Sequence, residues 1–401
     1  MVTSISKEII KTVRKELGIK ADSENEFEIY KKIENIVTED ERLFNFSFKE
    51  KASLAKKIYL TIRKDMGILE PYCMDEDVTE IMVNGYENIF VERRGIIEKI
   101  DLQFFSCEEL EELIRRIAAG VHREINELTP IVDARLPDGS RVNAVYKNVA
   151  LNGPILTIRK FPKKAFNMTD MVVFETITDE AAEFLKEMVR CGMNIMISGG
   201  TSSGKTSMLN VLSQFIPKEE RVIVIEDSAE LQLDSISNLV RLECRNSNVQ
   251  GKGAVDMKSL IKSSLRMRPD RIIVGEVRGA EVVDMLQAMN TGHSGSISTG
   301  HANSAKGMLR RLEAMALQGA DFPIESVRNQ IAEGIDIMIH LGRMPDRSRK
   351  VLEISELCGY EEGKYLENPL FKYDVERGLI YTGNKITRRE KLQLGCYRGI
   401  C

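Results

Sequence analysis

Residues 199–206 read Gly199-Gly200-Thr201-Ser202-Ser203-Gly204-Lys205-Thr206, directly after the apolar run Asn194-Ile195-Met196-Ile197-Ser198. A buried strand, a glycine-rich turn and a Lys-Thr pair opening a helix are the parts of a phosphate-binding loop, in order. The backbone of such a loop curls around a phosphate and points several N–H groups inward. Gly199 and Gly204 suit that path because a Cβ would strain it or block the anion. The helix starting near Lys205 adds the positive end of its dipole. Lys205 is expected to reach the β- and γ-phosphates and the Thr206 hydroxyl to ligate Mg²⁺. Gly199, Gly200, Thr201, Ser202, Ser203, Gly204, Lys205, Thr206 and Ser207 are therefore the expected nucleotide-binding set. The loop implies a bound nucleoside triphosphate.

The rest of the chain gives that loop a setting. Its 401 residues suggest two or three domains. Apolar content of 43% and charged content of 29% are those of a soluble globular protein. A net charge of −4 gives no overall drive toward nucleic acid, and no direct nucleic-acid binding is expected. No apolar stretch approaches a membrane span, and Met1–Lys20 carries charges throughout, unlike a secretory signal. The 7 cysteines include no C-x-x-C pair, which favours reduced thiols and a cytosolic setting, with Cys396 and Cys401 in a frayed tail.

Residues 1–65 read as a small helical bundle, through Ile5, Ile9, Val13 and Leu17, then Phe27, Tyr30, Ile33 and Val37, then Leu54, Ile58 and Ile62. Residues 66–160 read as an α+β domain, with hairpin and turn signals around Arg94-Gly95 and Pro137-Asp138-Gly139-Ser140. Residues 161–175 read as a linker. From 176 to 401 apolar runs alternate with amphipathic segments, the pattern of an α/β domain. The runs are Ile195–Ile197, Val222–Ile225, Leu239–Leu242, Ile272–Val274 and Ile335–Ile339.

Ligands of such sheets bind beyond the carboxyl ends of the strands. Glu226, Asp227 and Glu230 follow one run, Gly275 and Glu276 another, and Gly300, His301 and Asn303 a third. Glu276 is the first choice of general base, with Glu230 a rival that the sequence does not separate from it. Gly275 stands where an Asp often precedes that Glu. Metal support, partly through water, is thus expected from Thr206, Glu226, Asp227, Glu230 and Glu276. His301 is expected to sense the γ-phosphate, with His293 as a second histidine of the same polar segment. Phosphoryl transfer also needs positive charge in the transition state. Arg135, Arg141 and Arg159 are candidates before the α/β domain, and Arg266, Arg268, Arg271 and Arg278 within it.

In order, the segments 199–206, 225–230, 265–278 and 291–304 resemble the Walker A, Asp, Walker B and His boxes of the type II and type IV secretion ATPases. Upstream, Thr79–Gly85, Val132–Ala144 and Leu156–Phe161 resemble the CpaF branch, which powers tight-adherence (Flp-type) pili. The resemblance spans about residues 66–370. It implies an α/β chain with a C-terminal RecA-like P-loop ATPase domain, preceded by the α+β domain and the helical bundle. It further implies ATP and Mg²⁺ as cofactors and a cytoplasmic homohexamer, peripheral at the inner face of the cell membrane. Arg135, Arg141 and Arg159 would reach the nucleotide from the N-terminal side. ATP turnover would then drive an inner-membrane platform protein to add or remove pilin subunits. Gly300 replaces the family's usual β-branched residue, which predicts a looser segment before His301. Met66–Pro71 is a weaker match.

Two other functions fit the same motifs. One is a type IV secretion traffic ATPase moving DNA or effector proteins. The other is an ATP-switched regulator without meaningful hydrolysis, against which Glu276 and the complete loop argue. No guanine-reading Asn-Lys-x-Asp is present, since Asn384-Lys385-Ile386-Thr387 lacks the Asp, and ATP is preferred over GTP.

Overall fold

A computed structural model describes residues 2–17, 25–161, 166–233, 235–245, 252–319, 322–388 and 390–392. Cys396 and Cys401 lie outside these residues. The chain divides into two compact units, Met1–Lys163 and Lys164–Cys401.

The first unit opens with helices α1 (Val2–Leu17), α2 (Glu26–Glu39) and α3 (Phe48–Arg63). Asn25 caps α2 by accepting from the Phe27 amide, and Ser47 with Glu50 forms a capping box on α3. Ile9, Val13, Ile29, Ile33, Val37, Leu54 and Ile58 are buried together. The α2 face is carried by Ile29, and Phe27 is exposed, contrary to the spacing read from the sequence. Then follow α4 (Glu70–Met74), β1 (Val78–Asn84), β2 (Ile89–Arg93), β3 (Ile96–Lys99), α5 (Cys107–Gly120), β4 (Ile131–Arg135), β5 (Arg141–Val145) and β6 (Ile155–Arg159). The strands form one sheet in the order β3-β2-β1-β6-β5-β4. Alternate residues such as Ile81, Val83, Val142, Ala144, Leu156 and Ile158 share its core with Leu110, Leu113 and Ile117 of α5.

The second unit contains α6 (Met168–Val173), α7 (Asp179–Arg190), β7 (Ile195–Gly199), α8 (Lys205–Ser213), β8 (Arg221–Glu226), β9 (Asn238–Glu243), α9 (Met257–Ser264) and β10 (Arg271–Val274). It continues with α10 (Val282–Asn290), β11 (Ile297–His301), α11 (Ala305–Gly319), α12 (Ile324–Gly334), β12 (Ile337–Arg343), β13 (Arg349–Glu361), β14 (Lys364–Asp374) and β15 (Gly378–Tyr381). The sheet order is β15-β14-β13-β12-β7-β11-β10-β8-β9. From β12 to β9 every pair is parallel, and β13–β15 extend the sheet as an antiparallel meander.

Both faces of the parallel part are covered. Ile195, Ile197, Val222 and Val224 pack with Leu185, Met208 and Leu212 of α7 and α8. Met196, Ile223, Ile225 and Val274 pack with Ile261, Met285, Met308 and Ile331 of α9–α12. Each such side chain contributes about 1.5–3 kcal/mol on full burial. The run at 239–242 differs from the others, because β9 is an edge strand and only partly buried. At the amino ends of the parallel strands, buried Asp336 accepts from the Asn194 amide (2.8 Å) and pairs with Lys391 (2.6 Å) and Arg388. That network ties the C-terminal segment to the end of the sheet opposite the phosphate loop.

Candidate nucleotide site

The phosphate loop leaves β7 at Gly199 and enters α8 at Lys205. A Cβ on Gly199 would lie 2.5 Å from Ser203 Oγ and 2.6 Å from the Leu341 carbonyl, so only glycine fits this turn. Gly204 caps α8 at φ +95°, a left-handed conformation that disfavours other residues. Ser202 is also left-handed (φ 58°), and its carbonyl accepts from Arg349 Nε at 3.0 Å. Ser203 Oγ donates to the Gly200 carbonyl at 2.9 Å. Thr206 and Ser207 occupy the first turn of α8.

Register brings the catalytic candidates to this loop. In the β11–β7 ladder His301 pairs with Gly199, and β10 ends beside β11. Lys205 is buried, and its Nζ donates to the Gly200 carbonyl at 2.8 Å and lies 3.2 Å from His301 Nδ1. Across the same ring, His301 Nε2 lies 2.9 Å from Glu276 Oε1. Glu276 Oε2 accepts from Arg278 (2.8 Å), whose other nitrogen reaches Asp227 at 3.0 Å. The ends of β7, β11, β10 and β8 are thus linked through Lys205, His301, Glu276, Arg278 and Asp227. An ammonium facing Nδ1 leaves the ring proton on Nε2, facing the carboxylate. Glu276 Oε1 is buried and receives no aligned hydrogen bond, so it keeps capacity to accept one.

Burial, then the charge of Lys205, hold the His301 pKa below its ordinary value of 6.5. Burial likewise lowers the Lys205 pKa, which Glu276 opposes.

The carboxylates divide by environment. Glu226 is buried, and its Oε1 accepts from the Glu230 and Leu231 amides at 2.8 and 3.0 Å. Burial pushes its carboxyl up despite those donors. Glu226 therefore shapes the loop after β8, and one of its oxygens is committed to that loop. Asp227 and Glu276 share Arg278, and Glu230 is near enough for its charge to act on the same guanidinium. Among the described residues no group of three His, Cys, Asp or Glu is arranged to hold a metal alone.

Several sequence expectations change. Gly300 does not loosen the strand: it pairs with Ser198 in the ladder, and the space of a Cβ is filled by Met308 and Met196. His293 lies before β11, at the end away from the phosphate loop, with Nδ1 3.3 Å from the Ala288 carbonyl. Arg271 is buried and bonded to Glu220 and the Val189 carbonyl, so it holds the fold together and is not free to meet a phosphate. In the first unit Arg135, Arg141 and Arg159 stand directly opposite one another across β4, β5 and β6. Glu80 of β1 stands opposite Arg159 and offsets part of that charge, and Arg135 donates to the Gly139 carbonyl at 3.4 Å.

One residue that sequence reasoning missed is His340 on β12, in register with Ser198. Its Nδ1 lies 2.9 Å from Ser198 Oγ, and the ring also bonds the main chain of Asn303. Burial lowers its pKa as well. The fold thus disfavours protonation of both His301 and His340 relative to a free imidazole. Above about pH 6.5 the unfolded chain is neutral there too, and nothing is lost. As pH falls below that value the unfolded state takes up protons that the folded state refuses, so stability falls. Carboxyls raised by burial, such as Glu109 and Glu226, act in the opposite direction nearer their own range. Urea midpoints measured downward from pH 7 are expected to decline, and His340→Phe to flatten the decline. Parallel profiles for the two proteins would contradict this assignment.

A parallel α/β sheet with a phosphate loop at its carboxyl edge, and acid–base side chains gathered around it, defines a P-loop nucleotide-binding fold. The chain belongs to the type II/IV secretion system protein family, whose pattern matches residues 63–362. It is 41% identical over 276 residues to an uncharacterized protein of Methanocaldococcus jannaschii, covering 67% of this chain and 38% of that relative's length. It is 32% identical over 312 residues to the type IV secretion system protein PtlH of Bordetella pertussis, covering 71% and 92% of the two chains. The crystal structure of the pilus retraction motor PilT with bound ADP covers 83% of this chain and 89% of its own, at TM-score 0.52 and 19% identity, and shares the fold. Among the described residues no helix is long and apolar enough to cross a membrane.

Proposed function

We propose that this chain is the Mg²⁺-dependent ATPase motor of a secretion or pilus system, in the CpaF (tight-adherence) branch of its family. The observation that carries the proposal is the contact series Lys205–His301–Glu276 at the mouth of the phosphate loop. The residues fit a triphosphate: glycine is required at 199, Lys205 caps a loop carbonyl in place of a phosphate, and Glu276 Oε1 has an open acceptor position. Bound Mg²⁺, held by Thr206 with the Asp227, Glu230 and Glu276 carboxylates reaching it partly through water, would supply charge neutralisation at the phosphates. Lys205 orients the β- and γ-phosphates. Glu276 accepts the proton of the attacking water, and His301, 2.9 Å from Glu276 on one side and 3.2 Å from Lys205 on the other, stands between the two. When the terminal phosphate leaves, Lys205 and His301 lose a shared neighbour, so His301 reports that loss to β11 and α11.

Arg135, Arg141 and Arg159 are the arginines that this reading assigns to transition-state charge. A homohexamer at the inner face of the cell membrane, working on a platform protein, completes this reading. The similarity to PtlH favours a second reading, a type IV secretion traffic ATPase. Both are motors, and both require a shape change. Small-angle scattering of the purified chain, empty and with a non-hydrolysable ATP analogue plus Mg²⁺, is expected to give different profiles. Superimposable profiles would leave a catalyst and remove the motor.

A further inference from the structure

Beside the phosphate loop lies an open cavity of about 550 Å³. Gly200 and Thr201 form one wall, His301 and Asn303 a second, and Gly307 and Arg311 of α11 a third. Lys205 and Glu276 are not among the lining residues. His301 contacts both of them, so it stands between the catalytic contacts and the cavity. Gly307 and Arg311 are four residues apart and share a face of α11. Among the described residues Arg311 makes no hydrogen bond or ion pair, yet its charge is felt at His301.

From this arrangement we infer that the cavity is a binding site for the orthophosphate product, anchored by Arg311, through which it leaves after ATP is split. The inference rests on the ATPase reading above. In-line attack by water displaces the terminal phosphoryl group away from ADP, toward the side from which the water came. Here that side carries Glu276 and His301, and the cavity continues from His301. A dianion beside ADP is repelled by it, and the next uncommitted cation outward is Arg311. A guanidinium presents a planar fork of N–H donors that matches phosphate oxygens. The Thr201 hydroxyl and the Asn303 amide add uncharged donors. The cavity adjoins the substrate site through Gly200, Thr201 and His301, and what it adds to that site is Arg311.

The full-length protein is titrated with inorganic phosphate in two ways: as an inhibitor of steady-state ATP turnover, and by calorimetry against the ADP-loaded form. Arg311→Met is expected to raise the half-inhibitory phosphate concentration, and the phosphate Kd, about tenfold, a loss within that of a charge-assisted hydrogen bond. Arg311→Lys should recover part of the loss. ATP affinity should stay within about twofold in both variants, which also shows that they are folded. Unchanged phosphate binding in Arg311→Met, or equal losses for phosphate and ATP, would overturn the assignment. The calorimetric arm needs no turnover. An inactive wild-type protein that still binds phosphate through Arg311 would therefore sink the ATPase reading and leave the site standing.

Discussion

Substituting Lys205 with Ala is expected to lower ATP turnover by at least about 10²- to 10³-fold, the scale for removing one preorganised donor to developing charge. Lys205 Nζ lies within reach of both the Gly200 carbonyl and His301 Nδ1, at the point where the loop meets β11. Its removal takes away an ammonium at the phosphate end and leaves the His301 ring without its Nδ1 partner. Because Lys205 is buried, Lys205→Met serves as the control that keeps the aliphatic stem. The same loss is expected in both variants, with similar urea midpoints. A Met variant that hydrolyses ATP at the parental rate would show that the charge is not used.

Glu276→Gln is expected to act differently: turnover falls about 10²- to 10⁴-fold, the range for a positioned general base, while ATP binding stays within a few-fold. The amide preserves the shape of the side chain. It can still accept from Arg278 but cannot take a proton from water. Single-turnover measurement of phosphate formation on preloaded protein reads this without interference from release. Normal formation in Glu276→Gln together with loss in Glu230→Gln would move the base to the rival residue, which shares the neighbourhood of Arg278.

Local signals were legible in the sequence and distant partners were not. The phosphate loop is a contiguous pattern, and glycine at 199 and 204 is required by contacts and backbone angles within the turn. The apolar runs of β7, β8 and β10 read as strands because both their faces are buried. His301 and Glu276 could be placed at the loop because parallel strands bring their carboxyl ends to one edge. In contrast, β13 and β14 mix buried and half-exposed positions without regular alternation, and their register shifts break period two. Their meander was therefore not anticipated, nor was Arg349, which it brings to Ser202.

Partner identity explains the remaining differences. Arg271 has the same side chain as a surface arginine, and only the fold sets Glu220, 51 residues away, against it. Glu226 reads as one of three acidic residues after a strand, yet two main-chain amides claim one of its oxygens. The predicted looseness at Gly300 fails because Met308, on a helix eight positions later, fills the gap. His340 stands in a run of apolar residues that gives no hint of Ser198, 142 residues away. Arg311 lies on an ordinary amphipathic helix, and only the cavity distinguishes it.

The most direct measurement is a calorimetric titration of Mg-ATP into the parental chain, Glu276→Gln and Lys205→Ala side by side. Saturable uptake is expected in the first two, at one nucleotide per phosphate loop, and none in the third. Equal uptake by all three, or no uptake by the parental chain, would contradict that expectation.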